Sequence, residues 1–188
     1  QRVQEMVIEA GNDLELYRRQ ELADELEGLI DDLADLANGR YDGTYLFAGT
    51  KSDQPPFQVS RDADGRITGV TYLGNDSKRQ AQVDDNVVES YGTTGGGDGG
   101  LFADSATGVD IFANLITLRD ELASNELPSA TTQEAVENNL QHVIDQFVDT
   151  GTRQNRLTDQ QELLLNREVI NGERRGELAL NGDAGAWA

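Results

Sequence analysis

Apolar residues recur along this chain at two different periods, and the switch between them divides it into three zones. In the first, Val3, Met6, Val7 and Ala10 follow helical spacing until Gly11-Asn12-Asp13 interrupts them. Leu22, Leu26, Leu29, Leu33 and Leu36 then alternate steps of four and three, the seam spacing of helices packed nearly parallel. The pattern predicts a helix over Leu16–Ala37, ~33 Å long, with Asn38-Gly39 as its stop.

Between Tyr41 and Leu101 a period of two takes over, and Gly, Asp, Thr and Pro become frequent. Phe57-Gln58-Val59 and Ile67 flank Asp62-Ala63-Asp64-Gly65, a hairpin signal. Val70–Leu73 and Gln80–Val83 flank a second turn at Gly74-Asn75-Asp76, which predicts that these two strands pair. Pro55-Pro56 punctuates the entry to this zone, and the run Gly92–Gly100 reads as a flexible connection at its exit.

The third zone returns to helical spacing. Thr107-Gly108-Val109-Asp110 fits a capping box ahead of Ile111, Leu115, Leu118 and Leu122. After a turn at Ser124–Pro128, Thr131 and Glu134 form a second box before Val136, Leu140, Val143, Phe147, Thr150, Gln154, Leu157, Gln161 and Leu164. That register predicts a helix over Thr132–Ile170, ~58 Å long. Gly151 inside it costs about 1 kcal/mol relative to Ala, so it is expected to permit a close backbone contact. From Asn171 to Ala188 the chain is glycine-rich and loses the seam.

Helices with such seams cannot bury them singly. The expected fold is α+β: an elongated antiparallel helical bundle, or rod, with a small inserted antiparallel β domain. The rod domain is discontinuous, residues 1–50 and 102–188, and the inserted β domain covers 51–101.

Charge narrows the partners. The 188 residues hold 35 acidic against 15 basic side chains, a formal net charge of −20, which repels phosphate backbones and anionic lipid. Neither nucleic acid nor a membrane surface is therefore expected as a partner, and no run approaches the ~20 apolar residues of a membrane span. The lack of cysteine removes disulfides, thiolate metal sites and cysteine nucleophiles together. QRVQEMVIEA opens inside an amphipathic pattern, with neither a basic leader nor an apolar signal core, which predicts a piece of a longer polypeptide without a cleaved leader.

Candidate chemistry is sparse. His142 is the single histidine and falls between seam positions Leu140 and Val143, which predicts a solvated or half-buried helix residue. No Ser-His-Asp set or G-x-S-x-G elbow is apparent, and one histidine without cysteine is too little for zinc. No catalytic residue, cofactor or metal is predicted. Asp62, Asp64 and Gly65 resemble part of a calcium loop, but the frame puts Ser60 at position one and Thr71 at position twelve, so an Asp-Gly turn is the expectation. A calcium- or carbohydrate-binding module on a helical stalk remains an alternative, motivated by Asp62, Asp64, Asp76, Asp84 and Asp85. Gly92–Gly100 lacks the lysine of a phosphate loop and carries Asp98 instead. Glu21, Asp24, Glu25, Glu27, Asp31, Asp32 and Asp35 crowd one helix. They are expected to form its solvated face, not neutralised by local pairing, or a surface facing basic neighbours.

Several strings resemble bacterial flagellins and the hook-associated proteins related to them. QRVQEMVIEAGND resembles the start of their helical rod domain, RRQELADELEGLIDDLADLAN the second rod helix, and TGTRQNRL, Thr150 to Leu157, the Gly-x-x-Gln-Asn-Arg-Leu/Phe segment of the returning helix. One string discriminates within the superfamily. Asn38–Pro56, NGRYDGTYLFAGTKSDQPP, with Tyr45-Leu46-Phe47-Ala48-Gly49 and the Pro-Phe sequel, resembles hook-associated protein type 3, as does Gly69–Gly74. The Phe-Asn-Gly-x-x-Leu-Leu string usual in flagellins is absent.

The resemblance implies a non-enzymatic structural subunit joining hook to filament, exported unfolded by the flagellar type III system to an extracellular position. It implies lateral packing into a ring, with neighbouring copies, the adjacent hook-associated protein and flagellin as partners, and an export chaperone for terminal segments outside this chain. Candidate subunit-interface positions are Gln1, Arg2 and Glu5 with Gln154, Asn155 and Arg156; the alternative is that these two segments pair within one molecule. The isolated chain is expected to be monomeric. A filament-forming flagellin is the rival reading, and QRVQEM also resembles a flagellin stretch recognised by an innate immune receptor.

Overall fold

Leu16–Ala37 is a helix, as its periodicity predicts, and the stripe it buries follows the leucine seam at Leu22 and Leu26 but departs from it by Leu36. In a computed structural model that describes residues 1–11, 16–84 and 87–184, the elements in chain order are α1 (Arg2–Ala10), α2 (Leu16–Ala37), β1 (Arg40–Tyr41), β2 (Thr44–Tyr45), β3 (Phe57–Arg61), β4 (Ile67–Tyr72), β5 (Arg79–Asp84), β6 (Val87–Tyr91), β7 (Ala103–Asp104), β8 (Val109–Asp110), α3 (Ile111–Ala123) and α4 (Ala130–Ala184). The chain divides into two compact units, Gln1–Val143 and Ile144–Ala188. The fold is α+β, with a long C-terminal helix and small antiparallel β ribbons.

In the first unit, α2 buries Leu22, Ala23, Leu26, Ile30, Ala34 and Ala37, while Leu29 and Leu33 are half-buried and Leu36 is 61 % exposed. Steps of four dominate this stripe. A strict seven-residue repeat drifts around a helix of 3.6 residues per turn, so its last leucine leaves the buried face and the small Ala34 and Ala37 take over. Opposite lie Ile111, Phe112, Leu115, Leu118 and Leu122 of α3, the positions its periodicity predicts plus Phe112, and Met6 and Ala10 of α1 complete the cluster. Each large side chain buried here contributes roughly 1.5–3 kcal/mol.

Neither predicted capping box forms. Asp110 caps α3, its Oδ1 accepting the Ala113 N–H at 3.0 Å, while the Thr107 hydroxyl donates to Asp104 instead. At the start of α4, Ser129 Oγ accepts the Thr132 N–H at 3.2 Å, and the Thr132 hydroxyl donates to Glu121 Oε1 at 2.8 Å. A carboxylate from α3 thus replaces the local partner that sequence spacing suggested.

Among the described residues the strands form four separate two-stranded antiparallel ribbons, β1-β2, β3-β4, β5-β6 and β7-β8. The hairpin across Asp62–Gly65 is present, pairing Phe57 with Tyr72 and Val59 with Val70. The second predicted pairing is not: Gln80–Val83 belongs to β5, which pairs with β6. The reason is that Gly74-Asn75-Asp76 does not close a hairpin. Asn75 is spent on Thr50, its Oδ1 accepting the Thr50 N–H at 2.9 Å and its Nδ2 donating to the Thr50 hydroxyl at 2.7 Å.

Helix α4 extends through Asn171-Gly172 to Ala184, beyond the predicted end at Ile170. Within the first unit it buries Thr132, Val136, Asn139 and His142. The predicted seam is uncovered just beyond Leu140, where Val143 is 40 % exposed and Phe147 80 %, although Leu157 further on is half-buried. A virtual Cβ on Gly151 meets nothing within 4 Å, so the close contact expected there is not made among the described residues. Among the described residues, no helix is long and apolar enough to cross a membrane.

Candidate functional site

The string Asn38–Pro56 organises the first unit. Asn38, just past α2, brackets Phe57: its Nδ2 donates to Phe57 O and its Oδ1 accepts Phe57 N–H, both at 3.0 Å. Phe47 O accepts Gly95 N–H at 2.8 Å and the Tyr72 hydroxyl at 3.0 Å; Arg79 reaches Tyr45 O and Gly49 O. Gly49, at φ +65°, lies so close to Asn75 that a Cβ would fall 2.2 Å from its Oδ1. The discriminating residues Tyr45–Gly49 are thus the knot where the α2 exit, the β3-β4 hairpin and the glycine run meet. Burial first of all pushes the Tyr72 hydroxyl above its ordinary pKa.

Gly92–Gly100 is not a flexible connection. Thr94, Gly95, Gly96 and Gly100 are buried. A Cβ on Gly95 would sit 2.6 Å from the Phe57 ring and one on Gly96 2.6 Å from the Tyr72 ring. Gly95 and Gly96 are needed because the loop backbone packs directly on these aromatic rings, and Phe102 joins Phe47 and Phe57 edge-on beside it.

The acidic face of α2 is largely paired, against expectation, and its basic neighbours belong to the same chain. Arg2 of α1 holds Glu25 at 2.6 Å, Arg18 bridges Glu9 and Glu21, Arg61 reaches Asp31 at 2.5 Å, and Arg66 lies 3.8 Å from Asp24. The hydrogen bond from Arg2 lowers the Glu25 pKa. In the fifth pair the arginine is buried and the carboxylate half-buried. Arg119 of α3 contacts Glu27 and donates to Ile67 O at 2.7 Å, while Glu27 Oε1 accepts Ile67 N–H at 2.7 Å. One ion pair therefore satisfies both backbone groups of the first residue of β4, doing what a neighbouring strand would do. Burial opposes the Arg119 charge, but Glu27 and Asp120 outweigh it and raise its pKa.

His142 is buried, not solvated. Its Nε2 lies 2.9 Å from Gly100 O and its Nδ1 3.9 Å from Asp104 Oδ2. Burial works against the Asp104 carboxylate, yet the Gly99 and Ala106 N–H groups, the Thr107 hydroxyl and His142 together hold its pKa below the usual value. Periodicity missed this because the face of α4 used here, Thr132, Val136, Asn139 and His142, is mostly polar. Among the described residues no three His, Cys, Asp or Glu side chains are placed to hold a metal. Asp62 Oδ1 accepts the Asp64 and Arg66 N–H groups, closing its own turn; Asp85 lies outside the described residues.

The candidate interface residues fall in both units. Gln1, Arg2 and Glu5 are exposed at the start of α1, where Arg2 also contacts Glu5 at 3.4 Å. Gln154, Asn155 and Arg156 are exposed on α4 in the second unit.

Comparison with solved structures finds this fold in a flagellar hook-associated protein 3 from Legionella pneumophila, with a TM-score of 0.76 and 17% identity over 94% of this chain and 86% of that one. A putative flagellar hook-associated protein from Vibrio parahaemolyticus gives 0.71 and 20% over 93% and 76%, and Bacillus cereus FlgL 0.67 and 18% over 90% and 76%. No family model and no curated protein matches the sequence. At these identities, what the proteins share is the fold.

Proposed function

We propose that the chain is a non-enzymatic structural subunit of the bacterial flagellum, of the hook-associated protein 3 kind, which joins hook to filament in an extracellular position. The observation that carries this reading is the shared fold with hook-associated protein 3 over 94% of the chain. The string Tyr45–Gly49, which favours the junction protein over flagellin in sequence, supports it by being the structural knot of the first unit. In this reading copies pack laterally into a ring, the insertion 51–101 lies outermost, and Gln1, Arg2, Glu5, Gln154, Asn155 and Arg156 contribute to contacts between copies. Flagellin and the adjacent hook-associated protein are the other neighbours, and a chaperone accompanies export.

Deleting the gene tests it. Cells should retain hooks, lose filaments and release unassembled flagellin, with filaments restored by the intact gene. Normal filaments in the deletion strain overturn the reading.

A further inference from the structure

An asparagine followed by glycine is prone to spontaneous deamidation, because glycine has no side chain to hinder attack by its own nitrogen. The chain has three such pairs, Asn38-Gly39, Asn171-Gly172 and Asn181-Gly182. In the reaction the glycine amide nitrogen gives up its proton and attacks Cγ of the asparagine. The new N–Cγ bond displaces Nδ2, which takes up a proton and leaves as ammonia. Water then opens the succinimide ring at one of its two carbonyls, giving aspartate or isoaspartate. Attack needs a glycine N–H free to lose its proton and a side-chain amide free to swing over it.

At Asn38 the fold withholds both. Gly39 N–H donates to Leu36 O at 2.9 Å, and Gly39 O accepts the Leu46 N–H at 3.0 Å, so the residue is held from either side. The Asn38 amide is spent at both ends on the backbone of Phe57, the first residue of β3, as a neighbouring strand would be. Phe57 is only 4 % exposed. Swinging the amide toward Gly39 therefore strands a buried donor and a buried acceptor. Asn171, by contrast, is exposed on α4.

The product is also harmful at this one place. Aspartate at position 38 keeps an oxygen to accept the Phe57 N–H, but sets its other oxygen where Nδ2 donated to Phe57 O. Two acceptors then face each other across a contact made for a donor. Isoaspartate in addition lengthens the main chain by one carbon between α2 and β1. Phe57 packs against Tyr72, Phe102 and Phe112, so its displacement loosens the aromatic cluster beside the knot.

We propose that Asn38 is a latent deamidation site, shut in the folded protein and open in the unfolded chain, and that its modification blocks return to the fold. The residue thus marks time spent unfolded, whatever the chain assembles with.

Peptide mass spectrometry on the full chain tests this. Held in urea at mildly alkaline pH, Asn38 and Asn171 should both convert. Without urea, conversion of Asn38 should slow about tenfold or more. Urea is then diluted from a partly converted sample, and compact molecules are separated from expanded ones by size-exclusion chromatography. Deamidated Asn38 should be depleted about fivefold among the compact molecules, whereas deamidated Asn171 is shared equally. Asn38→Asp, made directly, should unfold at lower urea than the wild type. Equal rates at Asn38 with and without urea, equal sharing of its product between the two fractions, or a wild-type midpoint for Asn38→Asp overturns the proposal.

Discussion

Arg119 brings a permanent charge to a site where its side chain is 5% exposed, and it is tolerable there because Glu27, Asp120 and Ile67 O receive it. Removing Glu27 leaves the arginine to Asp120 and Ile67 O and leaves the Ile67 N–H without its carboxylate. Glu27→Gln should lower stability by about 1–3 kcal/mol in urea unfolding, while replacing Glu27 and Arg119 together with apolar residues should cost less. Two glycines give opposite signs. Gly95→Ala forces a methyl into the Phe57 ring and should cost about 1–3 kcal/mol. Gly151→Ala meets open space inside a helix and should add about 1 kcal/mol, read by the same unfolding experiment.

At the scale of elements, the start of α4 is fastened to the glycine run by His142 and Asp104 rather than by a leucine seam. Asp104 ionises more readily folded than unfolded. Its contribution to stability is therefore present above the unfolded carboxylate value, about 3.9, and is lost as pH falls through the lower folded value. Wild-type protein should show a steeper loss of the urea midpoint below about pH 4 than Asp104→Asn. The strands show why part of the fold was hidden in the chain. The β3-β4 hairpin was legible because an Asp-Gly turn and alternating apolar residues act within a few positions of each other. β1-β2 and β7-β8 were not, because two residues per strand are too few to display a period. The pairing assigned to Gly74–Asp76 failed because Asn75 answers to Thr50, 25 residues away.

For the whole molecule, the net charge of −20 outlasts the pairing on α2. Those pairs are exposed apart from Arg119–Glu27, and each exposed one contributes at most about 1 kcal/mol. Repulsion among the remaining carboxylates should dominate at low salt, so the melting temperature should rise on adding about 1 M salt, where the Debye length is ~3 Å. A melting temperature that falls or stays level would show that the arginine pairs outweigh the excess charge. Of the candidate site, the residue string Asn38–Pro56 was legible by resemblance, but its role as the knot was not. That role depends on Tyr72, Asn75, Arg79 and Gly95, which reach it from other parts of the chain.

By itself the sequence determined that helices flank a stretch of short strands and where most of them begin, and that the chain is acidic, because helical period, turn residues and net charge are local or additive quantities. Only the tertiary structure decided which face of each helix is covered, why the glycines are needed, and that arginines of the same chain occupy the acidic face of α2. Those outcomes depend on which side chains arrive from distant positions, and spacing along one segment carries no record of what will be packed against it.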